Sequence, residues 1–385
     1  MVRFNNLGGL IILIRHGKNL TYDRPNQALA TIAMIALAGC ASTSSPQAAR
    51  VMPVAPPVYR VSMPIPAAVP IKATAPTQLV STINALRAQF SGSVGIAVRS
   101  IDKGWSVASN GDAKLPQQSV SKLWVAMAVL DFRDSGRLTL DDAVTVTRED
   151  LTLFHQPIAM MVKGDGYKAT VGELLQRALT TSDNTANDRL LRFIGGPDTV
   201  RAFIQRKGLG SISFGPGERL LQSKTAGLDW KPEFALGNAF TRARAQLPLT
   251  TRLVAYESYI ANPPDGAAAS AIAGALAMLK KGELLSAQST SYLIATMESS
   301  RTGKQRLSGA VPAGWHFGHK TGTGQDLAGR TAGYNDVGIL TAPDGQSYAL
   351  AVMIGDTPRP IPERQALMQS VVASVVAYHR PNGGG

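Results

Sequence analysis

From Thr77 onward the chain alternates between two hydrophobic periods. TQLVSTINALRAQF sets Leu79, Ile83 and Leu86 on one stripe, the spacing of an amphipathic helix. SGSVGIAVRSIDKGWSVASNGD then switches to β-branched residues on either side of a turn at Asp102-Lys103-Gly104, which predicts a hairpin. Between Ser119 and about His316 the pattern is mostly helical, in SKLWVAMAVLDFRD, VGELLQRALTTSDNTANDRLLRFIG, TVRAFIQRKG, AASAIAGALAMLKKG and SAQSTSYLIATMES. Strand patterning returns in GWHFGHKTG, DVGILTAP and SYALAVMIG, and PERQALMQSVVASVVAYH closes the chain as a helix. Strands at both ends with helices between them predict an α/β (α+β) domain over 78–385. Its sheet lobe is built from 78–118 and 310–385, and an all-α lobe, 119–309, is inserted between them.

Ahead of Thr77 the pattern is of another kind. Ala28 to Gly39 is a twelve-residue apolar run, too short to span a bilayer but of the length of a signal-peptide core. It ends in Leu37-Ala38-Gly39-Cys40, which resembles the cleavage box of bacterial lipoproteins, with Cys40 as the lipid-bearing residue. Residues 1–39 then read as a signal peptide, although that region is long and carries a second apolar patch, LGGLIILI. From Ala41 to Pro76 there are eight prolines and no acid, so 40–77 reads as an extended tether. The expected location is periplasmic, on a membrane anchor at Cys40. Alanine rather than aspartate at position 41 favours the outer membrane.

Composition narrows the chemistry. The net charge is +13, and nearly half of that excess lies before residue 79, where seven basic residues face Asp23 alone. A basic excess suits anionic small substrates or an anionic envelope surface. No basic stripe interleaved with aromatics is present, which argues against nucleic acid. Cys40 is the single cysteine, so neither an internal disulfide nor a cysteine metal site can form. The five histidines share no helix face, and His316 and His319 point to opposite sides of a strand. No metal, no cofactor and no obligate oligomer is expected; the chain reads as a monomer.

Two Ser-x-x-Lys pairs occur, and about one is expected by chance in a chain of this length. Ser100 and Lys103 straddle the hairpin turn, where a solvated lysine is the ordinary reading. Ser119 and Lys122 stand one turn apart at a helix start, so they share a face. There the helix N-terminus favours developing negative charge, and a partly desolvated lysine can take the serine's proton. Ser182-Asp183-Asn184 and Lys320-Thr321-Gly322 follow in order, the second on a strand.

With SVSK, SDN and KTGT in place, residues 78 to 380 resemble the penicillin-recognising serine enzymes, and more narrowly the class A β-lactamases. PAGW before a strand and the APDG turn add to the likeness. The resemblance implies a five-stranded antiparallel sheet flanked by the N- and C-terminal helices, beside a helical lobe. It implies acylation of Ser119 by a β-lactam, with proton relay to the departing nitrogen by Ser182. Asn184 would hold the substrate's side-chain amide. Lys320 and Thr321, in the Lys-Thr-Gly triplet closed by Gly322, would bind its carboxylate, as would Arg306, fourteen residues before Lys320. The backbone N–H groups of Ser119 and Thr323 would form the oxyanion hole.

Hydrolysis further requires a carboxylate to activate water. The family pattern is Glu-x-x-Leu-Asn, and GPGERLLQS offers Glu218, Leu221 and Gln222, thirty-six residues after Ser182 for the glutamate. The segment after it, to about Asp265, reads as an unusually long loop that supplies two rival glutamates, Glu233 and Glu257. Asp188, Gln118 and His319 are shared with a sub-branch of broad cephalosporin activity. Two alternatives carry the same acylation machinery: a D-Ala carboxypeptidase-like or esterase-like hydrolase with slow deacylation, and a non-hydrolytic β-lactam-binding envelope protein.

Overall fold

The computed structural model describes residues 73–380. The expected signal peptide, the Cys40 lipidation site and nearly all of the proline-rich tether lie outside the described residues.

Five strands pair antiparallel in one sheet: β1 (Ser93–Ser100), β2 (Ser106–Ser109), β3 (His316–Thr323), β4 (Tyr334–Thr341) and β5 (Ser347–Asp356). Their order is β2-β1-β5-β4-β3, so β3 is an edge strand. Strand β5 sits in the middle and is buried from Ser347 to Gly355. Its side chains alternate between two cores. Ala349, Ala351 and Met353 face the helical lobe, whereas Tyr348, Leu350, Val352 and Ile354 face the two terminal helices. Those helices, Thr77–Gln89 and Ile361–Tyr378, press Leu79, Ile83, Leu367, Met368 and Val371 onto that second face. Each such side chain, fully buried, contributes roughly 1.5–3 kcal/mol.

The hairpin forms as expected, with Ser100 N–H donating to the Trp105 carbonyl at 2.9 Å. Ser100 Oγ accepts from the Lys103 backbone N–H at 3.2 Å, and the Lys103 ammonium is exposed, so this pair has no reactive geometry. Two short strand pairs also form: Lys114–Pro116, just before the inserted region, with Gly266–Ala268, and Ala143–Val146 with Tyr167–Thr170 inside it.

The helix Lys122–Asp134 runs through the helical lobe with every residue from Lys122 to Leu130 buried. A helix apolar all round belongs in a core. It is entered through a 3₁₀ turn, Gln118–Ser121, so Ser119 stands in that turn and not in the first α-helical turn expected for it.

The region after Glu218 departs from expectation. It is not a long loop: helix Glu218–Thr225 leads to a 3₁₀ turn, Pro232–Ala235, then helices Ala239–Gln246 and Leu249–Ala261. Proline starts two of these pieces, Pro232 inside the turn and Pro248 as the cap before Leu249, where its fixed φ is compatible with helix entry. Tyr256 and Tyr259, three apart, pack with Leu221, while Phe234 and Phe240 pack with Leu153.

Candidate active site

Ser119 is presented by a strained turn. Gln118 before it has φ 54°, a left-handed backbone held by its own N–H donating to Asp265 Oδ2 at 2.7 Å. The fully buried Lys122 spends its three ammonium protons on three acceptors. They are Ser119 Oγ at 2.6 Å, Asn184 Oδ1 at 2.8 Å and Glu218 Oε1. The expected nucleophile and the expected base of hydrolysis are thus one ammonium apart.

Ser182 comes from the bend between helices Val171–Thr180 and Asn184–Phe193. Asp183 caps the second helix by accepting from Ala186 N–H at 2.9 Å and also takes the Ile158 N–H at 2.7 Å. That anchoring leaves Ser182 with φ 60° and turns its hydroxyl to Lys320, whose Nζ donates to it at 2.9 Å. Lys320 is fully buried on β3, and burial, then the charge of Lys122, push its pKa well below the usual lysine value. Asn184 uses its other end as well, donating from Nδ2 to the Leu153 carbonyl at 2.9 Å.

Strand β3 supplies the opposite wall. Gly322 has no room for a side chain, since a Cβ there would lie 2.2 Å from the Gln117 carbonyl oxygen. The strand can therefore press against the turn that carries Ser119. Gly324 donates to the Gly333 carbonyl at 2.8 Å. By the alternation of antiparallel pairs, Thr323 then turns its N–H away from β4, to the open edge of the sheet where Ser119 stands. Thr321 Oγ1 pairs with Thr302 Oγ1 at 2.8 Å. Arg306 is buried, not a solvated surface arginine. It donates to Thr323 Oγ1 at 2.5 Å and to the Gly322 and Asn335 carbonyls at 2.9 and 2.7 Å, and its guanidinium lies 3.7 Å from the Tyr334 ring centre.

Glu218 opens its helix, with its N–H held by Asp188 Oδ1 at 3.0 Å. Gln222, one turn on, donates to Glu218 Oε2 at 3.3 Å and to Gln118 Oε1 at 2.9 Å. Gln325 in turn donates to the Gln222 side-chain and main-chain oxygens at 3.0 and 2.8 Å. The rival glutamates are elsewhere. Glu233 is exposed and 4.0 Å from Lys231, and Glu257 is exposed and paired with Arg330. A cavity of about 540 Å³ opens over this centre, its wall including Ser119, Ser182, Asn184, Gln222, Thr321 and Thr323.

Tyr259 and Asp265 escaped the sequence reading. Asp265 accepts from Gln118 N–H and from Tyr259 Oη at 3.0 Å, and Tyr259 accepts from Gln118 Nε2 at 2.7 Å. Burial raises the Asp265 carboxyl to about 6. In the sequence Pro-Pro-Asp-Gly signals only a turn, and the partner lies 147 positions away.

The pattern of the beta-lactamase enzyme family matches residues 78–379. The chain belongs to that family. Extended-spectrum beta-lactamase PER-1 of Pseudomonas aeruginosa is 30% identical over 289 residues, covering 74% of this chain and 82% of PER-1. Beta-lactamase VEB-1 of the same organism is 27% identical over 264 residues, covering 69% of this chain and 78% of VEB-1. Among solved structures, a beta-lactamase from Chitinophaga pinensis DSM 2588 superposes with a TM-score of 0.64 at 28% identity, covering 77% of this chain and 97% of that one. TLA-3 extended-spectrum beta-lactamase gives 0.65 at 26% identity, covering 78% and 98%. Sheet, helical lobe and serine-centred cavity are those of a class A-like serine β-lactamase.

Proposed function

We propose that the site opens β-lactam rings through an acyl-Ser119 intermediate and clears it with a water activated by Glu218. The single observation that carries this is the bonding of Lys122 Nζ to both Ser119 Oγ and Glu218 Oε1. When Ser119 Oγ attacks the ring carbonyl, its proton passes to the Lys122–Glu218 pair. The oxygen turning negative accepts from the N–H groups of Ser119 and Thr323. As the C–N bond breaks, Ser182 gives its hydroxyl proton to the nitrogen and is resupplied by Lys320, whose depressed pKa eases the donation. Lys320, Thr321, Thr323 and Arg306 seat the substrate carboxylate. The pair then passes on the proton it took, restoring Lys320 and freeing Glu218. Glu218 takes a proton from a water held with Gln222, the water attacks the ester carbon, and Ser119 leaves with that proton.

Ser119→Ala is expected to abolish hydrolysis of a chromogenic cephalosporin, with a loss of about four orders of magnitude or more. Glu218→Gln is expected to acylate but not turn over, so that mass spectrometry detects the substrate's added mass on the intact protein. Unchanged turnover in Glu218→Gln would remove that residue from the role. An adduct in the unaltered enzyme that persists for hours would favour the slow-deacylating alternatives instead.

The enzyme is proposed to work as a monomer, which its sedimentation in solution would check. Its place is the periplasm, on a lipid anchor at Cys40, favoured by the apolar run Ala28–Gly39 and the box that ends it. The check is fatty-acid labelling of the expressed protein: label retained by Cys40→Ala would refute the anchor.

A further inference from the structure

The helix Ala239–Gln246 carries Phe240 and Arg244 four apart, so both leave it on one face. The buried Phe240 fixes that face, its ring edge-on to Phe154 at 5.2 Å and to Phe234 at 5.7 Å. Phe154 belongs to the wall of the active-site cavity, and the same helix face delivers Arg244 to that wall beside Gln222, Gln325 and Asp326. A second cavity of about 320 Å³ shares Arg244 and Asp326 with that wall, and Arg252 of the next helix joins its lining.

These two cations are short of counter-charge. Arg244 donates from Nη2 to the Asp326 main-chain carbonyl at 2.9 Å, and the Nε atoms of both arginines are buried without an acceptor. The acids of the neighbouring surface, Glu257 and Asp356, are taken by Arg330. Asp326 is the local carboxylate, and its Oδ1 is engaged by the Thr331 hydroxyl. Burial, then the like charge of Arg252, depress the Arg244 pKa, and Asp326 offsets this only in part.

We infer that Arg244 and Arg252 form a second anion seat, which takes a carboxylate carried on the acyl side chain of a β-lactam. It rests on the reading that the ring carboxylate goes to Lys320, Thr321, Thr323 and Arg306. Arg244 lies at the other end, beyond the Gln222–Gln325 pair, and so on the side of the acyl group. Substrates favoured by this seat carry two anions, one on each side of the reacting carbonyl.

The test compares two cephalosporins of one nucleus, one with a carboxylate on its acyl side chain and the other with that group as its methyl ester. The readout is the ratio of their kcat/KM values. Arg244→Ala is expected to lower the ratio about tenfold, chiefly through KM, and Arg252→Ala several-fold. Arg244→Glu is expected to lower it further, Asp326→Asn to raise it, and added salt to lower it in the unaltered enzyme. A ratio unmoved by Arg244→Ala and Arg244→Glu overturns the seat. Should the Arg244 variants fail to fold, a ratio unmoved by both Arg252→Ala and salt overturns it as well. Hydrolysis of neither cephalosporin by the unaltered enzyme would instead refute the β-lactam reading on which the seat depends.

Discussion

Two residues that flank the reacting atoms, Gln118 and Ser182, have backbones that side-chain-bearing residues seldom adopt, at φ 54° and 60°. Each such position costs about 1–3 kcal/mol and persists where its surroundings over-determine it. For Gln118 those surroundings are Asp265, Tyr259, Gln222 and the Ala332 carbonyl, bonded to one residue. For Ser182 they are the Asp183 cap and the Lys320 ammonium. Gly322 shows the complementary device, a side chain dispensed with so that two segments can touch. Gly322→Ala would set a Cβ 2.2 Å from the Gln117 oxygen, and the strand or the Ser119 turn must yield. Overpacking of this kind is expected to cost about 1–3 kcal/mol, read as a lower thermal midpoint. A drop in kcat should exceed that loss in proportion, because the displaced element carries the nucleophile. An unaltered kcat would show that the close approach serves packing alone.

At the scale of elements, what could be read in advance followed the range of the signal. Ser119 with Lys122, the Ser182 triplet and the Lys320 triplet are local spacings, and the structure brings these three distant segments together around one cavity. Glu218 could be found from a spacing but not separated from Glu233 and Glu257. Only three-dimensional placement does that, through the bond to Lys122. The stretch 223–264 reads as loop by its length, yet part of it carries a helical period of its own. Leu253, Tyr256 and Ile260 repeat at three and four, and Pro248 precedes them. Asp265 was illegible for another reason. A carboxylate whose partner is a backbone N–H on a distant turn leaves no mark in any short window.

For the molecule as a whole, Asp265 ties the end of the extra helices to the turn that carries Ser119, and its ionisation couples that junction to pH. Its carboxyl is raised to about 6 in the fold, against roughly 3.9 when unfolded. The folded state therefore holds the proton more tightly. The stabilisation this brings is complete below the unfolded value and is lost as pH rises through about 6. Compared with Asp265→Asn, the native enzyme should lose about 2–3 kcal/mol of relative stability between pH 4 and 7, measured by urea unfolding. A constant difference across that range would remove Asp265 from the linkage. The sheet margin at β3 bears on a different property, the solubility of the molecule. Helix Ala287–Glu298 packs against the face of this strand at Gly318, close to Ile294 and Met297, and a buried lysine follows at 320. Thr321 and Thr323, at the far end of the strand, face the cavity. A border whose lysine points inward can admit a small ring-bearing molecule and is a poor template for a neighbouring polypeptide to zip onto.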